Sequence, residues 1–293
     1  NNTHHFINLP SLILNFYMPM NKKEFLNILM EHNKLGFQEQ IDYNKFYLYS
    51  IVTHSTAIEG STMTEIDNQL LFDEGLTAKG KSIIEQNMNI DLKAAYERSM
   101  QLAKEHTPFS IGVLKHLSSL VMRRTGSIIH VMAGSFDSSR GDLRLLNVTA
   151  GAGGKTYMNF MKVPQRLKDF CKEINEGREK LLKNPDVYEQ YKLSFYAHLK
   201  LVTIHPWADG NGRMSRLIMN HLQYEFGLVP SKVVKDDKAE YIKALKISQE
   251  EESETPFLDF MFEEHAKNLQ EEIENYKRSM GDEEVKPHRG FRR

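Results

Sequence analysis

The chain has 293 residues, 40% hydrophobic and 26% charged, with 38 basic against 39 acidic side chains. That length buries the core of one large domain or two modest ones, and a formal net charge of -1 provides no strong field to draw in nucleic acid or an anionic membrane. The one cysteine, Cys171, excludes an internal disulfide and a cysteine-rich zinc site, and the expectation is a bacterial, cytoplasmic protein.

The chain opens on Asn1, and the stretch to Met20 carries the apolar patch Leu12-Ile13-Leu14 without the basic n-region or cleavage site of a signal peptide. No apolar run is long enough to cross a bilayer. Apolar residues at three- and four-residue spacing predict helices over 22–33, 42–59, 64–73, 81–105 and 110–123. The same periodicity predicts helices over 164–182, 186–204, 213–226, 237–250 and 256–280. Gly60, Gly75, Pro108, Gly126 and Gly227 supply stops, and Thr64-x-x-Asp67 reads as a capping box. Residues 33–42 read as a linker after an N-terminal helical segment, 1–40. Segment 128–163 breaks the pattern, with Ile128, Ile129 and Val131, then Leu143, Leu145 and Val148 among many glycines. It predicts a hairpin or extended flap on an all-α body. The charged stretch 281–293, with Pro287 and few apolar residues, predicts a disordered tail.

The chemistry concentrates between two helices. Pro206 ends the first near Ile204, and Asp209-Gly210-Asn211-Gly212 leads into the next at about Arg213. Two glycines let the backbone approach a ligand closely, and the amides of a helix N-terminus attract anions. Arg213 and Arg216 lie three residues apart, on one helix face, where both reach phosphate oxygens. Asp209 offers a hard carboxylate suited to magnesium held mainly by water and phosphate. His205, at the mouth of the cradle, suits general-base work. A cradle, a metal carboxylate, two arginines and a base describe phosphoryl-type transfer, which depends on positioning and electrostatics.

The run His205-Pro206-Trp207-Ala208-Asp209-Gly210-Asn211-Gly212-Arg213-Met214-Ser215-Arg216 resembles the signature of the Fic family. Trp207 replaces the usual phenylalanine and is expected to anchor the loop in the core. The resemblance implies a Fic-type helical domain with a small β-hairpin flap and an N-terminal helical extension. It further implies a protein adenylyltransferase, moving AMP from ATP onto a Ser, Thr or Tyr hydroxyl of a target protein. His205 would deprotonate that hydroxyl and Asp209 would hold magnesium or manganese. Gly210, Asn211 and Gly212 would cradle the α-phosphate, and Arg213 and Arg216 would meet the β- and γ-phosphates.

Upstream, Ser55-Thr56-Ala57-Ile58-Glu59-Gly60 resembles the inhibitory helix of class II Fic proteins. Glu59 sits in a last helical turn, where the helix dipole disfavours an anion by about 0.3–1 kcal/mol, so a cation elsewhere is expected to compensate. The resemblance names Arg216 as that cation, making Ser55 and Glu59 regulatory, and it allows a reverse, AMP-removing activity. Gly141-Asp142-Leu143-Arg144, Val148, Gly151 and Val163-Pro164 are similar to the family's flap, on which a target's extended backbone docks as an added strand. Tyr241, in Tyr-x-x-Ala-Leu with Ala244 and Leu245, falls where relatives line the nucleoside pocket; a core position serves it equally. Class II relatives often dimerise, so a homodimer joins ATP and the target among expected partners, with no nucleic acid or membrane. The expected division is 1–40, inhibitory helix and packed helices 41–105, catalytic core 106–280 and tail 281–293.

Bland readings compete. His116, His198 and His221 read as packed imidazoles, Cys171 as an inert helical thiol and Glu250-Glu251-Glu252 as a solvated helix end. Rival functions are transfer of phosphate or another nucleotide on the same scaffold, and a silent nucleotide-sensing module. A third is a P-loop at Thr149-Ala150-Gly151-Ala152-Gly153-Gly154-Lys155-Thr156, which lacks the first glycine and a following long helix.

Overall fold

The computed structural model describes residues 19–40, 42–150, 154 and 156–284. Ten α-helices occur among them. They are α1 (Lys22–Lys34), α2 (Tyr43–Ile58), α3 (Glu65–Glu74), α4 (Ile83–Lys104) and α5 (Ile111–Val121), then α6 (Val163–Lys183), α7 (Val187–Ile204), α8 (Asn211–Glu225), α9 (Lys238–Glu250) and α10 (Thr255–Glu284). Strands β1 (Ile128–Val131) and β2 (Gly134–Asp137) form an antiparallel hairpin between α5 and α6. The predicted all-α fold with a small hairpin is the fold observed.

Caps explain why the helix ends were readable. Asn21, Ser110 and Asp186 each accept a hydrogen bond from a first-turn amide. Thr64 and Asp67 form the predicted capping box, and Ser82 with Glu85 forms a second. Gly75 closes α3 with a φ of 69°.

The core gathers round α8, which α7 and α4 flank and α5 touches. Met214, Leu217, Ile218, Met219 and Leu222 are buried along it, and so are Asn220 and Gln223. A helix enclosed this fully must find partners for its polar side chains. Tyr96 donates to Asn220 at 2.8 Å, while Gln223 donates to Ser194 and Ser231 at 3.0 Å each.

A buried polar ladder fixes α2 against α3 and α4. Asn68 of α3 donates to Thr53 Oγ1 of α2 at 2.7 Å and to Asn89 Oδ1 of α4 at 2.9 Å. Thr56 of α2 donates to the same Asn89 oxygen at 2.8 Å. Thr56, Asn68 and Asn89 are sealed from solvent, where a broken hydrogen bond costs about 1–3 kcal/mol.

Within segment 33–42, which reads as a linker, Ile41 lies outside the described residues and Phe37–Glu39 form one 3-10 turn. Phe37 packs on the rings of His32, Tyr43 and Tyr276, so an aromatic contact overrides what its polar neighbours suggest. The long helix α10 also runs past Gly281, where the tail was predicted to begin, to Glu284. Residues 285–293, the Leu12-Ile13-Leu14 patch, and Gly151, Ala152, Gly153 and Lys155 lie outside the described residues. Around the P-loop-like run, Thr149 bridges Thr156 and the next α-helix starts only at Val163, so the long helix of a P-loop is not there. No described helix is long and apolar enough to cross a membrane.

In α1, Phe25 is wholly buried among the rings of Tyr188, Tyr191 and Phe262, with centroids 5.0–6.1 Å away. Replacing Phe25 by Ala should lower stability by about 3–5 kcal/mol in denaturant unfolding. A loss below about 1 kcal/mol would mean that α1 contributes little to the core.

Candidate active site

The loop between α7 and α8 is held in shape from several sides. His205 takes a left-handed conformation, φ 52° and ψ 63°, which a non-glycine residue keeps only when its surroundings enforce it. Arg144 supplies much of that restraint. It is 1% exposed; its Nε donates to the His205 carbonyl at 2.7 Å and its backbone amide to the Pro206 carbonyl at 3.0 Å. Trp207 is buried as predicted, and its indole N–H donates to the Gly141 carbonyl at 3.1 Å. Asn211 accepts from the Trp207 amide at 3.0 Å and donates to its carbonyl at 2.8 Å. The side chain expected to cradle phosphate thus also ties the loop to itself.

The glycines are needed where they stand. Gly210 has a φ of 80°, and a Cβ there would lie 2.9 Å from Met122 Sδ. A Cβ on Gly212 would lie 2.6 Å from the Glu59 carboxylate. That carboxylate therefore rests on the first turn of α8, whose amides lack intrahelical acceptors and favour an anion.

Arg213 and Asp209 form an open polar pair. Arg213 is 3% exposed, yet its Nε and Nη1 find no protein partner. Its Nη2 faces Met122 Sδ at 3.3 Å and the Asp209 carboxylate at 3.5 Å. A buried guanidinium with unused donors suits an incoming anion. The Asp209 side chain is 69% exposed, and Oδ1 accepts from the Gly210 amide at 2.6 Å. That carboxylate, free to solvent beside an unsatisfied cation, fits an ion carried mainly by water and phosphate.

Arg216 is occupied. Its Nε donates to Ser55 Oγ at 2.8 Å, and Nη2 donates to the Ser55 carbonyl at 3.0 Å and to Glu59 Oε1 at 2.5 Å. Its Nη1 reaches the Tyr241 hydroxyl at 3.3 Å. Partial burial pushes the Glu59 carboxyl up, but the Arg216 charge and hydrogen bond outweigh it, with Arg213 and Lys238 adding to them. The carboxyl is left below the usual carboxylate range. Tyr241 is 1% exposed and its hydroxyl also meets His198 Nε2 at 2.9 Å. This is the core alternative for Tyr241; the side chain stands beneath Arg216, and the geometry does not open it to a nucleoside.

His205 is set up as a neutral imidazole. Burial is the main cause; Arg144 adds to it, while the Val202 carbonyl, Asp209 and Glu59 oppose, and the pKa falls to about 4. Its Nδ1 lies 3.3 Å from the Val202 carbonyl, an acceptor, so Nδ1 carries the proton and the Nε2 lone pair is free. Tyr157, after the bridge at Thr156, stacks on this ring with centroids 3.8 Å apart and planes inclined by 17°. Sequence reasoning passed over Tyr157 and gave Arg144 no structural task. Neither contact has a local signal, since each depends on the flap folding back over a loop about 50–60 residues further on.

The fold and this loop define a class. Residues 108–223 match the Fic/DOC family, and the chain carries a Fic domain there. It is 30% identical over 205 residues to protein adenylyltransferase fic-1 of Caenorhabditis elegans, covering 69% of this chain and 36% of the relative. It is 29% identical over 212 residues to protein adenylyltransferase Fic of Drosophila persimilis, covering 72% and 38%. The chain thus spans well under half the length of these curated relatives. Among solved structures, residues 134–508 of Fic-1 from C. elegans superpose with a TM-score of 0.67 at 24% identity, covering 88% of this chain and 72% of that one. A Fic-domain signalling protein from Bacteroides thetaiotaomicron gives 0.68 at 17% identity, covering 86% and 97%. The curated relatives are animal proteins, from nematodes, flies and a sea anemone, and that overturns the expectation of a bacterial source.

NMR titration of the His205 imidazole should give a midpoint of about 4, well under the ordinary value of about 6.5. A midpoint above about 6 would mean that burial does not govern this ring.

Proposed function

We propose that the chain is a protein adenylyltransferase held in an inhibited state by Glu59. The observation that carries the reading is the buried Arg213 guanidinium, with two unpartnered nitrogens beside an exposed Asp209 and a neutral His205. ATP would lay its phosphates along Gly210, Asn211, Gly212 and Arg213, at the N-terminus of α8. Asp209 would hold magnesium or manganese, which when bound neutralises phosphate charge. His205 Nε2 takes the proton of a target Ser, Thr or Tyr hydroxyl. The freed oxygen attacks the α-phosphorus, the bond from that phosphorus to the oxygen bridging to the β-phosphorus breaks, and pyrophosphate leaves. The hairpin β1–β2, with Ile128 exposed and Met132 at its tip, offers an edge to an extended target segment.

Inhibition follows from who holds Arg216. While Glu59 and Ser55 take its donors, the guanidinium cannot reach a γ-phosphate, and the Glu59 carboxylate stands on the turn that the phosphates need. A carboxylate placed there also suits activation of water toward an AMP ester, which would release AMP and restore the target hydroxyl. Replacing Glu59 by Gly should raise incorporation from α-labelled ATP by about tenfold or more, and adding His205→Ala should cut it by about 10²–10⁴-fold. Unchanged incorporation in the Glu59→Gly form would refute inhibition. Label arriving from the γ-position instead would turn the reading to phosphate transfer on the same scaffold.

Ile66 and Leu70 on α3, Leu76 just after it and Ile83 and Ile84 at the start of α4 are exposed, and exposed apolar side chains of this kind suit a homodimer contact. Ile83→Glu should convert a dimer to a monomer in light scattering; a monomeric parent protein would dismiss this interface.

A further inference from the structure

The stack of Tyr157 on His205 is built into the fold. The buried Arg144 donates from Nη2 to the carbonyl of Met158 at 2.6 Å, from Nη1 to that of Leu146 at 2.8 Å and from Nε to that of His205. One guanidinium thus grips the backbone of the histidine and the backbone next to Tyr157. The Tyr157 amide donates to the Val148 carbonyl at 3.0 Å, which pins the same turn to the outgoing limb of the flap. Three carbonyls on one planar fork fix relative positions more closely than a flexible lysine could. The tyrosine ring is therefore presented to the imidazole by a rigid bracket.

We infer that Tyr157 is a positioning residue for the general base, covering one face of the His205 imidazole and holding the ring so that the edge that carries Nε2 meets an acceptor hydroxyl. The inference rests on the proposed transfer reaction. A proton moves efficiently when donor and lone pair meet in the ring plane, and a ring free to swing about its χ2 torsion would present that lone pair in many directions. Stacking restrains the swing on one side while the Val202 carbonyl holds Nδ1. Tyr157 itself needs no hydroxyl for this task, because the contact is made by ring faces.

Two substitutions separate the ring from its hydroxyl. Tyr157→Phe keeps the stack and Tyr157→Ala removes it. In the Glu59→Gly background, Tyr157→Phe should transfer AMP within about twofold of its parent, while Tyr157→Ala should lose about tenfold or more in kcat with KM for ATP unchanged. NMR of the imidazole C–H protons provides a readout independent of activity. The shielding from an overlying ring should persist in Tyr157→Phe and vanish in Tyr157→Ala. Equal kcat in both variants would overturn the inference, as would a loss in Tyr157→Phe matching that in Tyr157→Ala, or imidazole shifts unmoved by Tyr157→Ala. If the Glu59→Gly protein transfers no AMP at all, the reaction assignment fails, and the imidazole shifts still decide whether Tyr157 orders the ring.

Discussion

The organisation of this molecule depends on the saturation of one cation. Arg216 is buried in α8, and the groups that meet it come from α2 and α9: Ser55 twice, Glu59 once and Tyr241 once. A guanidinium at 3% exposure without such partners would cost several kcal/mol, so the contacts from α2 and α9 stabilise the burial of Arg216. The neighbouring Arg213 is the counter-example within the same helical turn. It is as deeply buried, and two of its nitrogens have no partner. One arginine is satisfied by the protein and the other keeps two donors unused.

The remaining parts of the site follow from how the loop is restrained. Trp207, Asn211 and Arg144 hold a left-handed histidine and two close-packed glycines in one shape. In the proposed reaction, pre-set geometry of this kind would spare the site reorganisation as charge develops on the phosphate. Burial does the complementary work of keeping His205 unprotonated at neutral pH without a carboxylate partner on Nδ1, the form that the proposed transfer needs.

Much of this was legible in the sequence, for identifiable reasons. Helix ends were readable because Ser, Thr, Asp and Asn caps act on residues three positions away, and the loop because nucleotide chemistry demands fixed residue types at fixed intervals. Glu59 stood out because it violates the helix dipole, and the family resemblance supplied its partner about 150 residues away. Other features had no local trace. Phe37 looks like part of a linker until three rings close on it. Tyr241 carries the same letters whether it lines a nucleoside pocket or supports Arg216 from below. Arg144 and Tyr157 gain their meaning only when the flap lies over the loop, a contact between distant segments that no window of residues contains.

The ladder of Thr53, Thr56, Asn68 and Asn89 has a mechanical consequence. Because Asn68 is bonded at once to α2 and α4, the three helices share a single joint, and α3 cannot shift along its neighbours without breaking sealed amide contacts. Thr53 and Thr56 flank Ser55 on α2, so the joint that ties three helices also fixes the turn from which Ser55 meets Arg216.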